Sequence, residues 1–407
     1  MHQPFKAVQV TDAVYWVGAI DPNVREFHGY LTSRGTTYNS YLVLGEKTAL
    51  IDTVKAQFKD EMMARIASVV EPSKVDYIIS SHAEMDHSGC LPDAVAEMKP
   101  EKVFASKMGV AALAAHFHGG LDVTPVEDGG ELALGPDLTL KFMETRFLHW
   151  PDSMFCYLPQ RNFLFSQDAF GMHLAGTERF ADQVPPWLIK HESSKYYANI
   201  VLPFSNIVQK LLEKLDASGL VINMVAPAHG PIWRSGFRDV LGWYRLWSKQ
   251  TLKQSVLVLY DTMWGSTDLM ARTICDGLSS TGVAVKQICL SQSHRSDVAT
   301  ELLDAGALVV GSPTLNNQVY PTIADAMSYI KGLKPRPRPS ATFGSFGWSG
   351  ESTKQIEEAL TAMDFENLGQ VKAKYVPDHK LLQECWELGR LVGERVCPQD
   401  PDGVTRF

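Results

Sequence analysis

The segment SSHAEMDHSG, at residues 80–89, crowds metal-binding side chains into a short stretch, and this restricts the fold more than any other feature. Its potential ligands are His82, Glu84, Asp86 and His87. The segment follows VDYIIS, which has the length and apolar character of a short buried strand. Further candidates lie at or after predicted strand ends, namely His149, Asp168 and His229. Side chains of these types, several of them directly after predicted strands, predict a metal site.

Taken one at a time, the later candidates are weak evidence. A lone histidine such as His149 or His229 more often packs in a core or lies on the surface, and Asp168 alone more often caps a turn or a helix. The order of all the candidates is more specific, because four potential ligands within six positions precede three others. We therefore expect them to act together as one metal site.

This order, H-x-E-x-D-H followed by H, D and H, resembles the metallo-β-lactamase superfamily, whose fold packs two β-sheets between helical layers around a two-metal site. In the common zinc hydrolases of that superfamily the second motif position is histidine, whereas here it is Glu84. Carboxylate oxygen is a harder ligand that suits iron, so Glu84 favours redox chemistry over hydrolysis. The resemblance implies one iron held by His82, Glu84 and His149, another held by Asp86, His87 and His229, and a bridging Asp168.

The character of the sequence changes near residues 249–254, which read KQTLKQ. Before this point short apolar segments alternate with polar turns, and after it strands alternate with amphipathic helices, which predicts a doubly wound parallel sheet. A chain of 407 residues also exceeds what one core usually serves. We therefore predict two α/β domains. By the resemblance above, residues 1–250 form a metallo-β-lactamase-like αββα sandwich with the di-iron site, and residues 251–407 form a doubly wound parallel sheet that is flavodoxin-like by the resemblance of its loop at residues 260–271.

The second domain begins with a loop suited to phosphate. YDTMWGSTDLMA follows a predicted strand and opens a helix, and it offers the hydroxyls of Thr262, Ser266 and Thr267 at the helix N-terminus. It has neither the lysine of a Walker A loop nor a G-x-G-x-x-G fingerprint. Hydroxyl-rich phosphate loops without a basic residue resemble flavodoxin, which binds FMN.

Two later loops, GSPTLNN and GSFGWSGE, are expected to converge with this loop beyond the carboxyl ends of the strands. Trp264 and Trp348 are candidates to flank the isoalloxazine ring, although either alone is equally well explained by packing. The predicted FMN-binding residues are Thr262, Met263, Trp264, Gly265, Ser266, Thr267, Ser312, Pro313, Thr314, Leu315, Asn316, Asn317, Ser345, Phe346, Gly347, Trp348, Gly350 and Glu351.

The two halves together are similar to one family, the flavodiiron proteins. The resemblance extends over nearly the whole chain and includes FHGY, HWPDSM, KYYANI and FGSFGWSGEST. It implies a cytoplasmic reductase of O2, NO or both, with FMN and two iron ions as cofactors and rubredoxin as electron donor. It also implies a head-to-tail homodimer, or a tetramer of such dimers. No paired C-x-x-C module follows the second domain, so a separate donor is expected.

Reduction of O2 or NO consumes protons, and the family resemblance directs attention to side chains near the expected metals. His28 in EFHGY and the adjacent Tyr196 and Tyr197 in KYYANI are candidate proton donors, with ordinary packing as the alternative for each. Rubredoxin is acidic, so a local basic patch near the flavin is expected. KPRPRP at residues 334–339 is one candidate, although a solvated surface loop explains it better.

Composition narrows the partners and the compartment. The formal net charge is −8, which disfavours nucleic acid and anionic membranes as partners. The chain has no apolar run of membrane-spanning length and no basic, apolar leader at its start, so a cytoplasmic location is expected. The six cysteines form no C-x-x-C pair, so thiol redox chemistry and cysteine-ligated metals are disfavoured.

Two alternatives remain open at the level of the sequence. One is a di-zinc hydrolase of the metallo-β-lactamase type with an accessory flavodoxin domain, and the other is a non-enzymatic flavin electron carrier. Glu84 speaks against the first, and the complete set of seven ligands speaks against the second. Between O2 and NO as substrate, the sequence favours neither strongly; our expectation is O2 reduction with NO activity alongside.

Overall fold

The structure, a computed structural model, describes residues 5–397. Within this range the chain forms two compact units. The first consists of the residues up to Tyr196 together with Asn206–Arg245, and the second of Tyr197–Ser205 together with the residues from Leu246 onward. The short segment Tyr197–Ser205 groups with the second unit because the Asn199 side chain bonds there to the Ser296 carbonyl and the Tyr329 hydroxyl. The predicted single boundary at residue 250 does not account for this segment, which precedes the boundary but groups with the second unit.

The described residues of the first unit form sixteen strands. They are β1 Val8–Gln9, β2 Val14–Trp16, β3 Ala19–Asp21, β4 Glu26–Phe27, β5 Tyr30–Leu31, β6 Thr36–Tyr38, β7 Tyr41–Val43, β8 Ala49–Ile51, β9 Tyr77–Ser80, β10 Lys102–Ser106, β11 Val123–Val126, β12 Glu131–Gly135, β13 Leu138–Glu144, β14 Met154–Leu158, β15 Phe163–Gln167 and β16 Met224–Pro227.

The α-helices that accompany these strands are α1 Lys59–Ala67, α2 Met85–Ser88, α3 Leu91–Met98, α4 Lys107–His116, α5 Pro186–Tyr196, α6 Ser205–Ser218 and α7 Phe237–Ser248. Helix α6 begins, and α7 ends, within the second unit. Shorter turns of 3-10 helix lie at Ala56–Phe58, Pro72–Lys74, Pro159–Arg161, Ala181–Gln183 and Leu202–Phe204, and a π-helical turn lies at Tyr197–Val201.

Two sheets face each other in the first unit. One has the order β1-β2-β7-β8-β9-β10-β11, with parallel pairing from β8 to β11, and the other has the order β12-β13-β14-β15-β16 with only β15 and β16 parallel. Strand β13 reads LTLKFME and alternates in burial, so that Leu138, Leu140 and Phe142 enter the core between the sheets. Helices α1, α3 and α4 pack on the outer face of the first sheet.

The second unit is a parallel sheet with helices between successive strands. Its strands are β17 Ser255–Tyr260, β18 Ala284–Cys289, β19 Ala307–Leu315, β20 Gln318–Val319, β21 Pro339–Phe346 and β22 Glu366–Lys374, and its helices are α8 Ser266–Ser279, α9 Arg295–Leu302, α10 Pro321–Leu333, α11 Ser352–Thr361 and α12 His379–Val396. The sheet order is β18-β17-β19-β21-β22, with the short β20 antiparallel to β19. Numbered within the unit, the five parallel strands follow the flavodoxin order 2-1-3-4-5.

The central strands of this sheet are buried on both faces, as expected for parallel strands covered by helices. Strand β17 reads SVLVLY, and its residues Val256–Tyr260 are all buried. One face packs against α8 and α12, and the other against α9, α10 and α11. No helix among residues 5–397 has the length and apolar character needed to cross a membrane.

Strand ends in the first unit bring the predicted metal ligands together. Parallel strands β15 and β16 end side by side, the first directly before Asp168 and the second two residues before His229. The Met154 backbone N–H donates to the Ser81 carbonyl over 3.0 Å, which joins the start of β14 to the loop after β9. His82 and His149 belong to the loops on either side of this bond.

Asn39 holds the loop that carries His229. Its side-chain amide donates to the carbonyls of Pro227 and Gly230, each over 2.8 Å, and its carbonyl accepts from the Trp16 indole N–H over 2.8 Å. Asn39 is buried, and the buried Trp16 indole N–H and Gly230 carbonyl depend on it for a hydrogen bond, whereas the Pro227 carbonyl also accepts from the Tyr41 hydroxyl over 2.8 Å.

We expect Asn39→Ala to lower the free energy of unfolding by about 2–4 kcal/mol, because it leaves the buried Trp16 indole N–H and the Gly230 carbonyl unpaired. Denaturation by urea, followed by tryptophan fluorescence on metal-free protein, measures the change. Asn206→Ala, at an exposed position, is the matched control and is expected to change stability by less than about 0.5 kcal/mol. Equal stability of the two variants would contradict this account of Asn39.

Candidate metal centre and flavin pocket

The first group of predicted ligands surrounds one carboxylate oxygen of Glu84. Oε2 of Glu84 lies 3.2 Å from Nε2 of His82 and 3.2 Å from Nε2 of His149. Asp168 completes the group, because its Oδ2 lies 3.2 Å from the His149 nitrogen and 3.7 Å from the His82 nitrogen. These four residues place one ligand atom each within 4.8 Å of the others.

The second group consists of Asp86, His87 and His229, whose ligand atoms also lie within 4.8 Å of one another. Oδ2 of Asp86 is 3.3 Å from Nε2 of His87 and 3.2 Å from Nε2 of His229. The other oxygen of Asp168, Oδ1, is 3.4 Å from each of these ring nitrogens. Asp168 therefore faces both groups with different oxygens, which is the arrangement of a bridging carboxylate.

The donor atoms are spaced as ligands of a metal ion. Two ligand atoms about 2.1 Å from one ion and separated by roughly 90–110° lie about 3.0–3.4 Å apart. Most of the distances within each group fall in this range. Both carboxylate oxygens of Asp86 and of Asp168, and both ring nitrogens of His87, are buried and make no hydrogen bond within the described residues. Buried polar atoms without partners are costly, so the cluster fits a pair of metal ions.

Two of the imidazoles are oriented by hydrogen bonds at their outer nitrogens. Nδ1 of His229 donates to the Thr37 carbonyl over 2.6 Å, and Nδ1 of His82 lies 3.1 Å from Oδ2 of Asp152. Both bonds leave Nε2 to face the cluster. The sequence analysis did not identify Asp152, although a carboxylate three residues after His149 in HWPDSM was a signal for it.

The structure puts the three predicted proton donors in different environments. Nε2 of His28 lies 2.5 Å from Oε1 of Glu84, so His28 contacts a metal-ligand candidate. The ring of Tyr196 lies 6.3 Å from that of His229 and 5.0 Å from that of His173. Tyr197 belongs to the second unit, where its hydroxyl lies 3.2 Å from the Ser205 hydroxyl. The sequence analysis did not identify His173, whose ring packs 4.8 Å from His229.

Carboxylates and imidazoles in the cluster shift the pKa of one another strongly. Burial by itself lowers the pKa of His82, but its hydrogen bonds to Asp152 and Glu84 outweigh this and raise the pKa to about 10. The pKa values of His87 and His149 are raised to about 9 for similar reasons. Asp86 and Asp168 raise the pKa of His87, and Asp168 and Glu84 raise that of His149. Burial raises the pKa of Asp168, yet the neighbouring histidines hold it well below its ordinary value.

The second unit contains a cavity of about 440 Å³ beyond the carboxyl ends of its strands. All three predicted flavin loops contribute to its lining, through Met263, Trp264, Ser266, Pro313, Thr314, Leu315, Asn316, Asn317, Ser345, Phe346, Gly347 and Trp348. Trp264 and Trp348 are 91% and 84% exposed, which is unusual for large aromatic side chains. Exposed aromatic rings around a hydroxyl-rich loop fit a bound planar ring with a phosphate.

The other predicted flavin residues support the loops from behind. Thr262 accepts a hydrogen bond from the Gly265 N–H, Thr267 bonds to the Ser345 hydroxyl, and Ser312 accepts from the Tyr320 N–H. Gly265 has φ = +87° directly before α8, a conformation that glycine adopts at little cost. Gly350 packs on the Phe346 ring, and Glu351 precedes the first residue of α11.

The sequence analysis missed Ser349, Tyr375 and Val376, which also line the cavity. Ser349 lies inside the predicted loop GSFGWSGE. Tyr375 and Val376 follow β22, and the parallel order of that strand was the signal that its carboxyl end belongs at the same edge of the sheet.

The proposed basic patch at KPRPRP is wrong in its position. The segment runs into Pro339, the first residue of β21, so it lies at the amino end of this strand. The flavin loop follows the carboxyl end of the same strand, about 26 Å away along the eight residues. Arg338 is buried, and its guanidinium donates to the carbonyls of Leu302 and Ala305, each over 2.6 Å. It supports the backbone and offers no surface charge.

Comparisons with known proteins agree with both sites. The sequence model described as "ODP family beta lactamase" matches residues 36–230, and the flavodoxin model matches residues 258–389. The nitric oxide reductase of Moorella thermoacetica is 42% identical over 402 residues, covering 97% of this chain and 100% of the relative. The coenzyme F420H(2) oxidase of Methanothermobacter marburgensis is 37% identical, covering 96% of this chain and 98% of that protein.

Two solved structures are similar over the whole length. The rubredoxin oxygen:oxidoreductase of Desulfovibrio gigas superposes with a TM-score of 0.93 at 42% identity, covering 96% of this chain and 98% of that one. The flavodiiron protein of Giardia intestinalis superposes with a TM-score of 0.92 at 34% identity, covering 97% of each chain.

Fold, metal cluster and cavity define a protein that joins a metallo-β-lactamase-type metal domain to a flavodoxin-type flavin domain. With relatives of this identity and coverage, the chain belongs to the flavodiiron protein family. The predicted fold class and family are therefore confirmed. The cofactors, FMN and a pair of iron ions, are confirmed as those of the family, and the buried donor set described above fits the metal pair.

The raised pKa values predict that metal binding releases protons. Metals bind neutral imidazole, whereas His82, His87 and His149 hold protons in the folded, metal-free protein up to about pH 9–10. At pH 7.5 we expect metal-free protein to release up to about three protons per chain on binding Fe(II), falling toward zero above pH 10.

A pH-stat titration under anaerobic conditions measures this release. His118→Ala, outside the cluster, should release the same number of protons as the unaltered protein. Proton release that stays constant between pH 7.5 and pH 10.5 would contradict the assignment of protonated imidazoles to the metal-free cluster.

Proposed function

We propose that this protein is an oxidoreductase that reduces O2 to water, NO to N2O, or both, with electrons delivered through FMN from a rubredoxin-type carrier. The observation that carries this proposal is Asp168, whose two oxygens face two separate ligand groups in the same chain as a flavin pocket. A carboxylate-rich metal pair in the same chain as a flavin site suits reduction, because the flavin can supply electrons. Hydrolysis needs no flavin.

We propose that the metal ligands act in the arrangement that their distances suggest. One ion is held by His82, Glu84 and His149, the other by Asp86, His87 and His229, with Asp168 between them. We propose that FMN is held by the lining residues of the cavity, with its phosphate at Thr262, Ser266 and Thr267 near the start of α8. When bound, the flavin supplies transfer of one or two electrons, and the iron pair supplies binding and reduction of the diatomic substrate.

The protein's own side chains orient the site and hold its protons. His28 fixes the orientation of Glu84 through the 2.5 Å contact with Oε1, which leaves Oε2 for the metal position. Tyr196 is buried, and burial raises the pKa of its phenol, so its hydroxyl retains its proton at neutral pH. We retain His28 and Tyr196 as the proton-holding candidates nearest the ligands, and Tyr197 as a candidate on the second unit.

Metal analysis and turnover measured on one preparation test the proposal. Anaerobically purified protein should contain about two iron ions and one FMN per chain and should consume O2 or NO when given reduced rubredoxin. Glu84→Ala should lose iron and lower turnover by roughly two orders of magnitude. Glu97→Ala, which removes an exposed glutamate from the same unit, is the control.

Each alternative has a distinct outcome in this experiment. Zinc in place of iron, with hydrolysis of thioesters or lactones, would support the hydrolase. Bound iron and FMN without consumption of either gas would support the electron carrier. Parallel rates with O2 and NO decide which substrate is preferred, and replacing rubredoxin with coenzyme F420H(2) tests the donor named for the Methanothermobacter relative.

A basic segment beside the flavin cavity is suited to an acidic electron carrier. Residues 372–380, KAKYVPDHK, contain Lys372, Lys374 and Lys380, which are exposed and form no ion pair within the described residues. The same segment contributes the exposed Tyr375 and Val376 to the cavity lining. Apolar contact next to unpaired positive charge favours encounter with a negatively charged protein.

We expect Lys372→Glu with Lys374→Glu to lower kcat/KM for reduced rubredoxin by about 10-fold or more at low ionic strength and to remove most of its salt dependence. Lys331→Glu with Lys334→Glu makes the same change in charge near the opposite edge of the sheet and is the control. Reduction of the flavin by dithionite should be unaltered in both. Equal losses in the two double variants would contradict docking at this segment.

A cytoplasmic location and a head-to-tail homodimer, or a tetramer of such dimers, belong to the same proposal. All six cysteines are free thiols, as is usual in a reducing compartment. The flavin cavity and the metal cluster belong to different compact units, so a second copy can supply the flavin for each metal site. Turnover per chain that is unchanged on dilution to monomer would contradict the dimer.

A further inference from the structure

Asp152 contacts a metal-ligand candidate that is distant from it in the sequence. It follows His149 by three residues, yet its carboxylate lies against His82, with Oδ1 and Oδ2 at 3.2 and 3.1 Å from Nδ1. Oδ2 also accepts a hydrogen bond from the Ala83 N–H over 2.6 Å. The Asp152 carbonyl accepts from the Ser106 hydroxyl over 2.7 Å. Asp152 is therefore held at both its backbone and its side chain.

The second ligand group has no equivalent carboxylate partner. The outer nitrogen of His229 donates to a neutral backbone carbonyl, that of Thr37. His87 forms no hydrogen bond to a carboxylate within the described residues. Asp52 is buried near His87, but its oxygens are held by the backbone N–H and the hydroxyl of Ser81.

The charge around the two metal positions is consequently unequal. The carboxylates of Glu84 and Asp152 lie at the first position and that of Asp86 lies at the second, and both positions share Asp168. The buried Asp52 carboxylate acts on His87 and on His82, so it belongs to neither position alone. A carboxylate at the outer nitrogen makes an imidazole more basic and fixes which nitrogen faces the metal. Added negative charge near an ion stabilises its higher oxidation state.

We propose that Asp152 is a positioning residue that makes the two metal positions inequivalent, so that the ion at His82, Glu84 and His149 is bound more tightly and is oxidised at the lower potential. This inference rests on the proposed metal assignment. It concerns which position binds its ion more tightly and which ion is oxidised first. The ligand set alone leaves the two positions equal, because each has two imidazoles, one carboxylate of its own and one oxygen of Asp168.

Two substitutions separate the two effects of Asp152. Asp152→Ala removes both the charge and the hydrogen-bond acceptor. Asp152→Asn keeps the shape and one acceptor oxygen for the His82 N–H, but removes the charge. Asp93→Asn, an exposed aspartate on α3, makes the same change in charge away from the cluster and is the control.

The readouts are iron retention against a chelator and an anaerobic redox titration followed by electron paramagnetic resonance, and neither depends on turnover. Asp152→Ala should release one of its two irons at about 10–100-fold lower chelator concentration than the unaltered protein. Asp152→Asn should keep both irons but narrow the interval of potential over which the mixed-valent signal is present. Asp93→Asn should match the unaltered protein in both measurements.

Wild-type iron retention by Asp152→Ala, or an unaltered mixed-valent interval in Asp152→Asn, would overturn the inference. If Asp152→Ala fails to fold, as judged by loss of its circular dichroism spectrum, Asp152→Asn decides alone. Unaltered protein that binds no iron pair at all would instead overturn the proposed function, so the two failures are distinguishable.

Discussion

The buried carboxylate of Asp168 is the group on which the rest of the first unit depends. It lies between two clusters of imidazoles, with Oδ1 3.4 Å from the His87 and His229 nitrogens and Oδ2 3.2 Å from the His149 nitrogen. A charge in this position is costly unless opposite charge surrounds it. His87 and His149, whose pKa values are raised to about 9, supply that charge in the metal-free chain, and metal ions supply it when bound. The loops that meet here are thus held together by the charge that binds the metals.

The scaffold around this carboxylate limits how far the ligands can move. Parallel strands β15 and β16 end beside each other, and Asn39 ties the loop after β16 to Trp16 in the facing sheet. His28 and Asp152 each hold one ligand from outside the cluster, Glu84 and His82 respectively. Electron entry is assigned to a separate unit, where aromatic and hydroxyl-bearing loops converge at the carboxyl edge of a parallel sheet. Metal and flavin chemistry therefore rest on two independently packed cores.

The sequence supported prediction wherever one short segment carried the information. SSHAEMDHSG contains four ligand candidates side by side, and YDTMWGSTDLMA contains a hydroxyl-rich loop at a helix start, so both could be identified without coordinates. Prediction was poorer for residues whose role depends on a distant partner. Tyr375 and Val376 line the flavin cavity because β22 pairs in parallel with β21, which brings its carboxyl end beside the loop after β21. Arg338 was considered as surface charge, but it is buried against the carbonyls of Leu302 and Ala305.

By itself, the sequence determined the type and order of the donor groups, including the glutamate in place of a histidine, and the change from a β-rich half to an alternating half. These are properties of neighbouring residues, and they follow from side-chain chemistry and periodicity. Only the tertiary structure decided that Asp168 faces both ligand groups, that His28 bonds to Glu84, and that Asp152 bonds to His82. His28 and Glu84 are 56 residues apart in the sequence, and His82 and Asp152 are 70 residues apart. The folding of two sheets onto each other sets such distances, and no local pattern encodes them.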